Sequence, residues 1–275
     1  MTYELIAFDM DGTLLTSDKR VLPSSTAAME RAADAGKVVA ISSGRCPRMV
    51  ELNQADLGPV RYAICCNGTV LYDLRDHRVT SSADMPHEII AQAFDLLGSE
   101  DVMVDAFQGR GFYCQTSHIE AMPRFGMGIY QDMYRATAWQ VDDIRPVMLD
   151  EGTPIQKFIF HFASPEARER FAARVAGIDA ELARSEMASL EFSPAGVTKG
   201  TGLLALADQL GIDAAATIAV GDADNDIDML RAAGLGVAMG NANEGARAAA
   251  DVVVADNDHD GCAEAIDRFL LGGGR

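Results

Sequence analysis

The sequence predicts an α/β protein with a Rossmann-like parallel sheet core, helices on both faces of that sheet, and an inserted α+β domain. Three observations predict this fold. Continuous short apolar segments alternate with helical segments at both ends of the chain, which is typical of buried parallel strands. Between about residues 84 and 187 the strands instead alternate apolar and polar residues, which is typical of half-exposed antiparallel pairs. Polar clusters follow directly after several of the apolar segments.

The first 83 residues are predicted to begin the parallel sheet. A helix is expected from about Ser25 to Ala35, with Gly36 standing where a C-terminal cap belongs. Pro47 can start a further helix, and Asn67-Gly68 favours a type I′ hairpin. The predicted strands are Leu5 to Phe8, Val38 to Ile41, Tyr62 to Cys66 and Val70 to Tyr72.

Residues 188–275 repeat this alternation and are predicted to complete the sheet. The expected domains are therefore a core formed by residues 1–83 and 188–275 and an inserted domain at residues 84–187. The elements predicted in the last segment are a helix from about Gly202 to Leu210, a strand from Thr217 to Val220, a helix from Asp226 to Ala233, strands at Leu235 to Met239 and Val252 to Ala255, and a helix from Cys262 to Leu271.

Acidic residues outnumber basic ones, 41 against 23 in 275 residues, for a net charge of −18. A field of that sign repels a nucleic-acid backbone, so no nucleic-acid partner is expected. No apolar run approaches the ~18 residues that span a bilayer, and no basic segment precedes the first apolar run as in a secretory signal. We therefore expect no membrane partner and a cytoplasmic enzyme. An anionic substrate has to be attracted locally, by a metal ion and a few fixed cations.

The five cysteines and five histidines show no spacing typical of metal sites. Neither a CxxC pair nor an HExxH sequence is present, so zinc chemistry is not expected. Cys65 and Cys66 lie in an apolar stretch, where cysteine is commonly buried. Reduced, buried cysteines fit a cytosolic chain.

Four polar clusters stand just after predicted strands. Ligands of an open parallel sheet bind outside the carboxyl ends of its strands, so these clusters are expected to converge. Convergence brings together several carboxylates, a hydroxyl and an ammonium group, which describes a hard-metal site beside a phosphate site. The clusters are Asp9 to Thr13, Ser42 to Arg45, Thr198 to Gly200 and Gly221 to Asp226.

These clusters resemble the four motifs of the haloacid dehalogenase-like phosphatase superfamily, in the same order. The matching residues are Asp9-Met10-Asp11-Gly12-Thr13-Leu14, Ser43, Lys199 and Gly221-Asp222-x-x-Asn225-Asp226. Ala238 to Ala242 and Asp260-Gly261 are similar to the Cof-type branch, which carries a large α/β cap between motifs two and three. The resemblance implies that residues 84–187 are an inserted α+β cap domain that closes over the site and sets substrate specificity. Many relatives have Thr where Ser43 stands, and either residue supplies a hydroxyl.

The resemblance also implies a magnesium-dependent phosphatase for small phosphate monoesters, such as sugar phosphates or similar metabolites. Asp9 would be the nucleophile that forms an aspartyl-phosphate. Asp11 would protonate the leaving oxygen and then deprotonate the attacking water. To act as an acid near neutral pH, Asp11 needs a pKa raised by neighbouring carboxylates, whereas a metal lowers it, and the sequence leaves this balance open.

The remaining site residues are assigned to the metal and to the phosphate group. The implied ligands of Mg²⁺ are Asp9, Asp222 and the backbone carbonyl of Asp11. Thr13 and Asp226 are supporting residues, Thr13 by orienting Asp11 and Asp226 by holding Lys199 or the waters on the metal. The implied phosphate-binding residues are Met10, Ser43, Gly44, Lys199 and Asn225, with Ser43 and Gly44 placed at a helix N-terminus.

Each of these residues alone has an ordinary structural interpretation. An aspartate in a loop is usually a turn residue, Ser43 alone would be a helix cap, and Lys199 alone would be a surface lysine with little effect on stability. Their joint presence in order favours a catalytic site. The aspartates that keep the interpretation as solvated turn residues are Asp18, Asp224, Asp228, Asp256, Asp258 and Asp260.

Two other functions stay open at this point. A phosphoryl transferase or phosphomutase would use the same nucleophile but exclude water, and a non-catalytic regulator would bind a metabolite on the same fold. The expected partner in each case is a small phosphorylated metabolite. The sequence does not identify the physiological ester, the cap residues that contact it or the oligomeric state.

Overall fold

The computed structural model describes residues 2–272, which divide into two compact units. One unit is the inserted segment Ser82–Gly196, and the other is formed by the chain before and after it. The predicted end of the insertion at residue 187 is wrong, because the strand Ser189–Pro194 pairs with two strands of the inserted unit. The core resumes only at Val197.

The strands of the described residues lie at both ends of the chain and throughout the insertion. In chain order they are β1 (Leu5–Phe8), β2 (Val38–Ser42), β3 (Tyr62–Cys65), β4 (Val70–Asp73), β5 (Arg78–Ser82), β6 (Val102–Gln108), β7 (Gly111–Gln115), β8 (Trp139–Val141), β9 (Lys157–Phe162), β10 (Ala180–Ser185), β11 (Ser189–Pro194), β12 (Thr217–Gly221), β13 (Leu235–Ala238) and β14 (Val252–Val253).

The helices alternate with these strands. In chain order they are α1 (Pro23–Asp34), α2 (Pro47–Val50), α3 (His87–Leu97), α4 (Thr116–Glu120), α5 (Gln131–Thr137), α6 (Arg145–Leu149), α7 (Pro165–Arg174), α8 (Lys199–Gln209), α9 (Ile227–Ala232), α10 (Glu244–Ala249) and α11 (Gly261–Ala265), which continues as a π-helical turn over Ile266–Leu270.

The core unit is built on a sheet with the strand order β14-β13-β12-β1-β2-β3-β4-β5. The strands from β14 to β3 are parallel, and β4 runs antiparallel to β3. Every residue of β1 is fully buried because both faces of the sheet are covered; Leu203 and Met229, from α8 and α9, pack against Leu5 on one face. The predicted Rossmann-like parallel sheet is confirmed. Its parallel strands end at one edge, where their carboxyl ends meet.

The connection between β3 and β4 differs from the predicted type I′ turn. The two strands form the expected antiparallel hairpin, but Cys65 pairs with Val70, so four residues rather than two connect them. Cys66, Asn67 and Gly68 all have positive φ, at 53°, 58° and 102°. A Cβ atom on Gly68 would lie 2.1 Å from the Thr198 carbonyl oxygen. The turn therefore packs directly against the start of α8, where Lys199 lies.

The inserted unit has its own sheet, with the order β10-β11-β9-β6-β7-β8. Neighbouring strands are antiparallel, except that β8 runs parallel to β7. The expectation of half-exposed strands is wrong for β9, because all six of its residues are buried. Phenylalanine side chains fill one face of this sheet. The polar side chains of the other face pair with one another, as Lys157 does with Glu191 at 2.8 Å.

The cysteines lie where apolar burial predicts them. All five are buried, and no disulfide joins any of them in the described part of the chain. A search of residues 2–272 finds no helix with the length and apolar character to cross a membrane. The cytoplasmic location stays a prediction.

Candidate active site

Asp9 is the first residue after β1, at the carboxyl edge of the core sheet. Its backbone N–H donates to the Val220 carbonyl of β12 at 3.0 Å, which continues the parallel ladder by one residue. The side chain is 9% exposed. A carboxylate in this place is fixed by the sheet, so its direction does not depend on a mobile loop.

Lys199 joins Asp9 to Asp226. Its Nζ donates to Asp9 Oδ1 at 2.5 Å and to Asp226 Oδ1 at 2.7 Å, and its side chain has no exposed surface. Lys199 is the first residue of α8, whose N-cap Thr198 forms a reciprocal capping box with Thr201. Gly200 allows this helix to approach α9, since a Cβ there would lie 2.7 Å from the Asp228 carbonyl oxygen. The ammonium group is thus held between two carboxylates, one directly after β1 and one in the turn that follows β12.

Asp226 also closes the turn that follows β12. Its Oδ2 accepts hydrogen bonds from the backbone N–H groups of Asp222 and Ala223, at 2.9 and 3.0 Å. Gly221 makes room for this turn, because a Cβ atom there would lie 2.5 Å from the Asp226 Cβ. Both oxygens of Asp226 therefore have protein donors, and its observed contacts match the predicted support for Lys199.

The sequence predicts that Thr13 orients Asp11, but in the structure Thr13 bonds to Asp222. Its hydroxyl donates to Asp222 Oδ1 at 2.7 Å. The other oxygen, Oδ2, lies against Gly12, where an added Cβ would come within 2.5 Å of it. Gly12 has φ of +85°, a conformation that glycine adopts readily. Gly12 therefore packs so closely against Asp222 that a larger residue would have to displace the carboxylate.

Three carboxylates are close enough to share a metal ion. One oxygen each from Asp9, Asp222 and Asp226 lies within 4.8 Å of the other two. An all-oxygen, carboxylate-rich donor set suits a hard divalent cation such as Mg²⁺. The structure thus brings Asp9 and Asp222 together as predicted and adds Asp226. It places the Asp11 side chain elsewhere.

Asp11 is held by two cations that the sequence analysis assigned no role. The Arg45 guanidinium forms a two-pronged contact, Nε to Oδ2 at 2.9 Å and a terminal nitrogen to Oδ1 at 2.8 Å. Lys19 donates to the same Oδ1 at 2.8 Å, and Asn53 accepts from the other end of the guanidinium at 3.2 Å. Arg45 could have been identified from the sequence, because it directly follows Ser43-Gly44 in the second polar cluster. Lys19 lies outside the four clusters, so no sequence pattern indicated its contact with Asp11.

The electrostatic environments of the two first-motif aspartates are opposite. Burial raises the pKa of Asp9 to about 7, helped by Asp226 and Asp11 and opposed by Lys199. Burial would also raise the pKa of Asp11, but Arg45 and Lys19 outweigh it and hold the pKa below its usual value. The balance that the sequence left open is therefore set toward an ionised Asp11 by two basic side chains.

Burial acts on the other two charged groups of the site as well. It raises the pKa of Asp222, with Asp226 and Asp11 adding to the effect. For Lys199, burial lowers the pKa, but the carboxylates of Asp226 and Asp9 outweigh it and raise the pKa above its usual value. Lys199 is therefore a permanent cation in this site.

The predicted phosphate-binding residues lie around the same edge with different exposure. Ser43 is buried, its hydroxyl accepts from the Arg45 N–H at 3.2 Å, and its own N–H donates to the Ile64 carbonyl. Ser43 and Gly44 lie just before α2, which begins at Pro47 as predicted, and their contact with phosphate stays a prediction. The Met10 side chain is fully buried, which leaves its backbone for any contact. Asn225 is exposed, in the turn after β12.

Comparisons with known proteins place this arrangement among phosphatases. Residues 6–266 match the model of the haloacid dehalogenase-like hydrolase family. The chain is 30% identical to pyridoxal phosphate phosphatase YbhA of Escherichia coli, over 98% of this chain and 100% of that protein. It is 32% identical to HMP-PP phosphatase of Serratia proteamaculans, over 87% and 85%. A solved haloacid dehalogenase-like hydrolase from Bacillus subtilis superposes with a TM-score of 0.84 at 28% identity, covering 97% of this chain and 100% of the other.

Proposed function

The chain belongs to the haloacid dehalogenase-like hydrolase family and is a phosphatase that hydrolyses phosphoric monoesters, and from this premise we propose which residues carry the reaction. Asp9 is the nucleophile and Asp11 is the acid and base. The enzyme needs a divalent metal ion, for which we propose Mg²⁺ held by Asp9, Asp222 and the Asp11 backbone carbonyl. The observation that carries the proposal is the Asp9 carboxylate, fixed at a strand end between Lys199 and Asp222.

In the first step, an Asp9 oxygen attacks phosphorus while the bond from phosphorus to the ester oxygen breaks. The leaving oxygen takes a proton from Asp11. In the second step, water attacks the same phosphorus, Asp11 takes a proton from that water, and the bond to Asp9 breaks to release inorganic phosphate. The bound metal supplies positive charge that lowers the repulsion between Asp9 and the dianionic ester. Before the first step Asp11 must give up its contacts with Arg45 and Lys19 and take up a proton, since these two cations occupy both of its oxygens and hold its pKa below the usual value.

Lys199 has two tasks in this mechanism. Its fixed charge opposes the rise in the pKa of Asp9 that burial causes, which favours the ionised form needed for attack. The same charge stabilises the phosphoryl oxygens as negative charge shifts toward them. Asp226 positions the ammonium group, and Thr13 positions Asp222. Met10, Ser43, Gly44 and Asn225 surround the phosphate group.

The substrate that we propose is a small phosphorylated metabolite. The named relatives act on pyridoxal phosphate and on HMP-PP, so heterocyclic phosphates join the sugar phosphates as candidates for this chain. The inserted unit Ser82–Gly196 carries none of the proposed chemical residues, and we assign it the selection among esters.

The test is the release of inorganic phosphate from a panel that contains 4-nitrophenyl phosphate, pyridoxal phosphate and hexose phosphates. Mg²⁺-dependent release that vanishes in excess chelator and in Asp9→Asn is the expected result. Release that persists in either case would remove the metal or the nucleophile from this assignment. A second sugar phosphate in the assay distinguishes a transferase, which would move the phosphoryl group to the acceptor without releasing it. A regulator would bind panel members without turnover.

A further inference from the structure

The loop that follows the nucleophile has little structure of its own. This nucleophile loop, residues 10–21, contains Asp11 and Lys19, and within it only isolated bridges at Leu15 interrupt the turns. Its internal bonds include Leu15 N–H to the Met10 carbonyl at 2.8 Å and Thr16 N–H to the Arg20 carbonyl at 2.9 Å. These contacts close the loop on itself but do not fix it against the sheet.

Two asparagines from the C-terminal part of the core fasten this loop. Asn241 Nδ2 donates to the Gly12 carbonyl at 2.8 Å. Asn257 Nδ2 donates to the Leu15 carbonyl at 3.0 Å, and the Asn257 N–H donates to Asn241 Oδ1 at 3.1 Å. A single chain of hydrogen bonds thus connects two carbonyls of the loop, the first of them one residue after Asp11.

Asp258 makes a third attachment. Its carboxylate accepts from both the N–H and the hydroxyl of Ser17, at 2.9 and 2.7 Å. The turn that carries it is itself fixed, because Asp256 accepts from the Asp258 N–H at 3.0 Å and contacts His259 Nδ1 at 2.6 Å. We call residues 256–260 the anchor turn. Asp258 is therefore not only the solvated turn residue that the sequence predicted.

The anchor turn and the segment with Asn241 are held close together. Gly240 donates to the Ala255 carbonyl at 3.0 Å, and a Cβ on Gly240 would lie 2.7 Å from the Asp256 nitrogen. Asn241 and Asp260 belong to the two stretches that are similar to the Cof-type branch, Ala238 to Ala242 and Asp260-Gly261, for which the mechanism above gives no role. Their closeness in the structure indicates that the two stretches act together.

We propose that Asn241, Asn257 and Asp258 are positioning residues that hold the nucleophile loop so that Asp11 meets the leaving oxygen. This inference rests on the proposed role of Asp11 as acid and base. The Asp11 side chain is 40% exposed, so neighbouring packing does not fix it. One of its two cationic partners, Lys19, lies on the same loop and moves with it. A displacement of about 1 Å at a reacting group can lower the rate by about 10²-fold.

The experiment uses the magnesium-loaded enzyme with Asn257→Asp, which keeps the size of the side chain and its backbone N–H but replaces the Nδ2 donor by an oxygen facing a carbonyl. We compare kcat/KM for 4-nitrophenyl phosphate and phenyl phosphate, which differ little in shape but much in the need for a proton on the leaving oxygen. We expect about a tenfold loss on phenyl phosphate and less than about threefold on 4-nitrophenyl phosphate. Asn241→Asp, which breaks the bond to Gly12 at the other end of the chain, should give the same pattern.

The matched control is Asp251→Ala. Asp251 accepts a hydrogen bond from the Gly236 N–H at 2.8 Å, so its loss removes a similar bond from a side chain to the backbone. Gly236 lies near the amino end of β13, away from the nucleophile loop. This variant should treat both substrates alike.

A double-mutant cycle with Asp11→Asn separates the possible outcomes. If the asparagines act through Asp11, adding Asn257→Asp to Asp11→Asn should change the phenyl phosphate rate by less than about twofold. Equal losses on both substrates in the single variant, or full additivity in the double variant, would overturn the positioning role of the asparagines. Neither result would affect the acid–base role of Asp11. If Asp11→Asn by itself affects both substrates equally, the acid–base role of Asp11 fails, and this inference fails with it for a different and visible reason.

Discussion

At the scale of single residues, the site depends on a lysine that has almost no contact with solvent. Lys199 is 1% exposed, and its ammonium group lies between two buried carboxylates, Asp9 and Asp226. The interpretation of Lys199 as a surface lysine is wrong, because the side chain is buried, and its loss would leave both carboxylates buried without this cation. Breaking a buried ion pair in this way destabilises a protein by about 3–5 kcal/mol.

We therefore predict that Lys199→Met abolishes turnover and also lowers the free energy of unfolding by about 3–5 kcal/mol. Urea denaturation measures the second effect. Lys37→Met is the control, since Lys37 is half-buried and its ammonium group donates to an uncharged acceptor, the Tyr3 carbonyl, at 2.7 Å. This variant should retain activity and lose about 1 kcal/mol or less. A Lys199→Met protein as stable as the parent would contradict the buried ion triad.

The close contact between Gly12 and Asp222 gives a second prediction at this scale. Gly12→Ala places a methyl group 2.5 Å from Asp222 Oδ2 and also strains a backbone with φ of +85°. We expect loss of magnesium-dependent turnover of at least about 10²-fold, because Asp222 must move. Gly36→Ala has the same backbone problem, with φ of +74°, but no atom within 4 Å of its new methyl group. It should lose about 1–2 kcal/mol of stability and keep its activity. Equal activity in both variants would show that turnover does not depend on the position of Asp222 beside Gly12.

The strand-end rule predicts from the sequence that Asp9 and Asp222 meet, because they follow β1 and β12, which are neighbouring parallel strands. The rule does not account for Lys199, which begins α8 after β11, a strand of the inserted unit; its place in the site was predicted from the order of the family motifs. The partner of each side chain was not predictable, because it depends on loop dihedrals that no pattern specifies. Thr13 turns toward Asp222 and not Asp11 only because the chain passes through the positive φ of Gly12.

At the scale of elements, the sheet of the inserted unit contains a buried ion pair. Lys157 of β9 and Glu191 of β11 lie 2.8 Å apart and are 1% and 8% exposed. Burial alone would raise the pKa of Glu191, but Lys157 and Ser185 outweigh it and hold the pKa below its usual value. Glu191 therefore stabilises the folded state above its unfolded pKa of about 4.3, and this contribution is lost as the pH falls through the lower folded value.

Lys157→Met should reverse the sign of this dependence. Without the ammonium group, burial raises the folded pKa of Glu191, so its ionisation opposes folding as the pH rises. The stability difference between the parent and Lys157→Met is expected to grow between about pH 4 and pH 7, toward about 3–5 kcal/mol. Denaturant unfolding of both proteins across this range measures it. In a Glu191→Gln background the difference should become independent of pH, and a slope that persists there would assign the effect to another group.

The elements that the sequence predicted well are those with strong local signals. β1, β2, β3 and β12 are continuous apolar runs, and each lies within one or two residues of its predicted range. β5 and α10 were not predicted, since Arg78–Ser82 is polar and Glu244–Ala249 is short and rich in alanine. β11 was assigned to the wrong domain because its pairing partners, β9 and β10, are chosen by tertiary contacts and not by its own composition.

At the scale of the whole molecule, the negative net charge contrasts with the basic side chains gathered at the active site. A net charge of −18 repels anionic substrates over most of the surface. Lys199, Lys19 and Arg45 all contact the first-motif carboxylates at the carboxyl edge of the core sheet. The chemical residues thus belong to the core unit, and the inserted unit is available for another task.

We assign the selection among phosphate esters to the inserted unit. We expect that replacing Ser82–Gly196, the segment that the structure identifies as one unit, with the corresponding segment of the pyridoxal phosphate phosphatase relative keeps magnesium-dependent hydrolysis of 4-nitrophenyl phosphate. The order of preference among larger phosphate esters should change to that of the donor, because contacts that match hydrogen-bonding groups can discriminate analogues by about 10⁴-fold or more. A second variant replaces the segment with a short Gly/Ser linker and should hydrolyse the activated ester without preferring any metabolite. Circular dichroism and thermal unfolding check that both proteins are folded. A folded chimera that keeps the parent's order of preference would place specificity in the core and contradict this assignment.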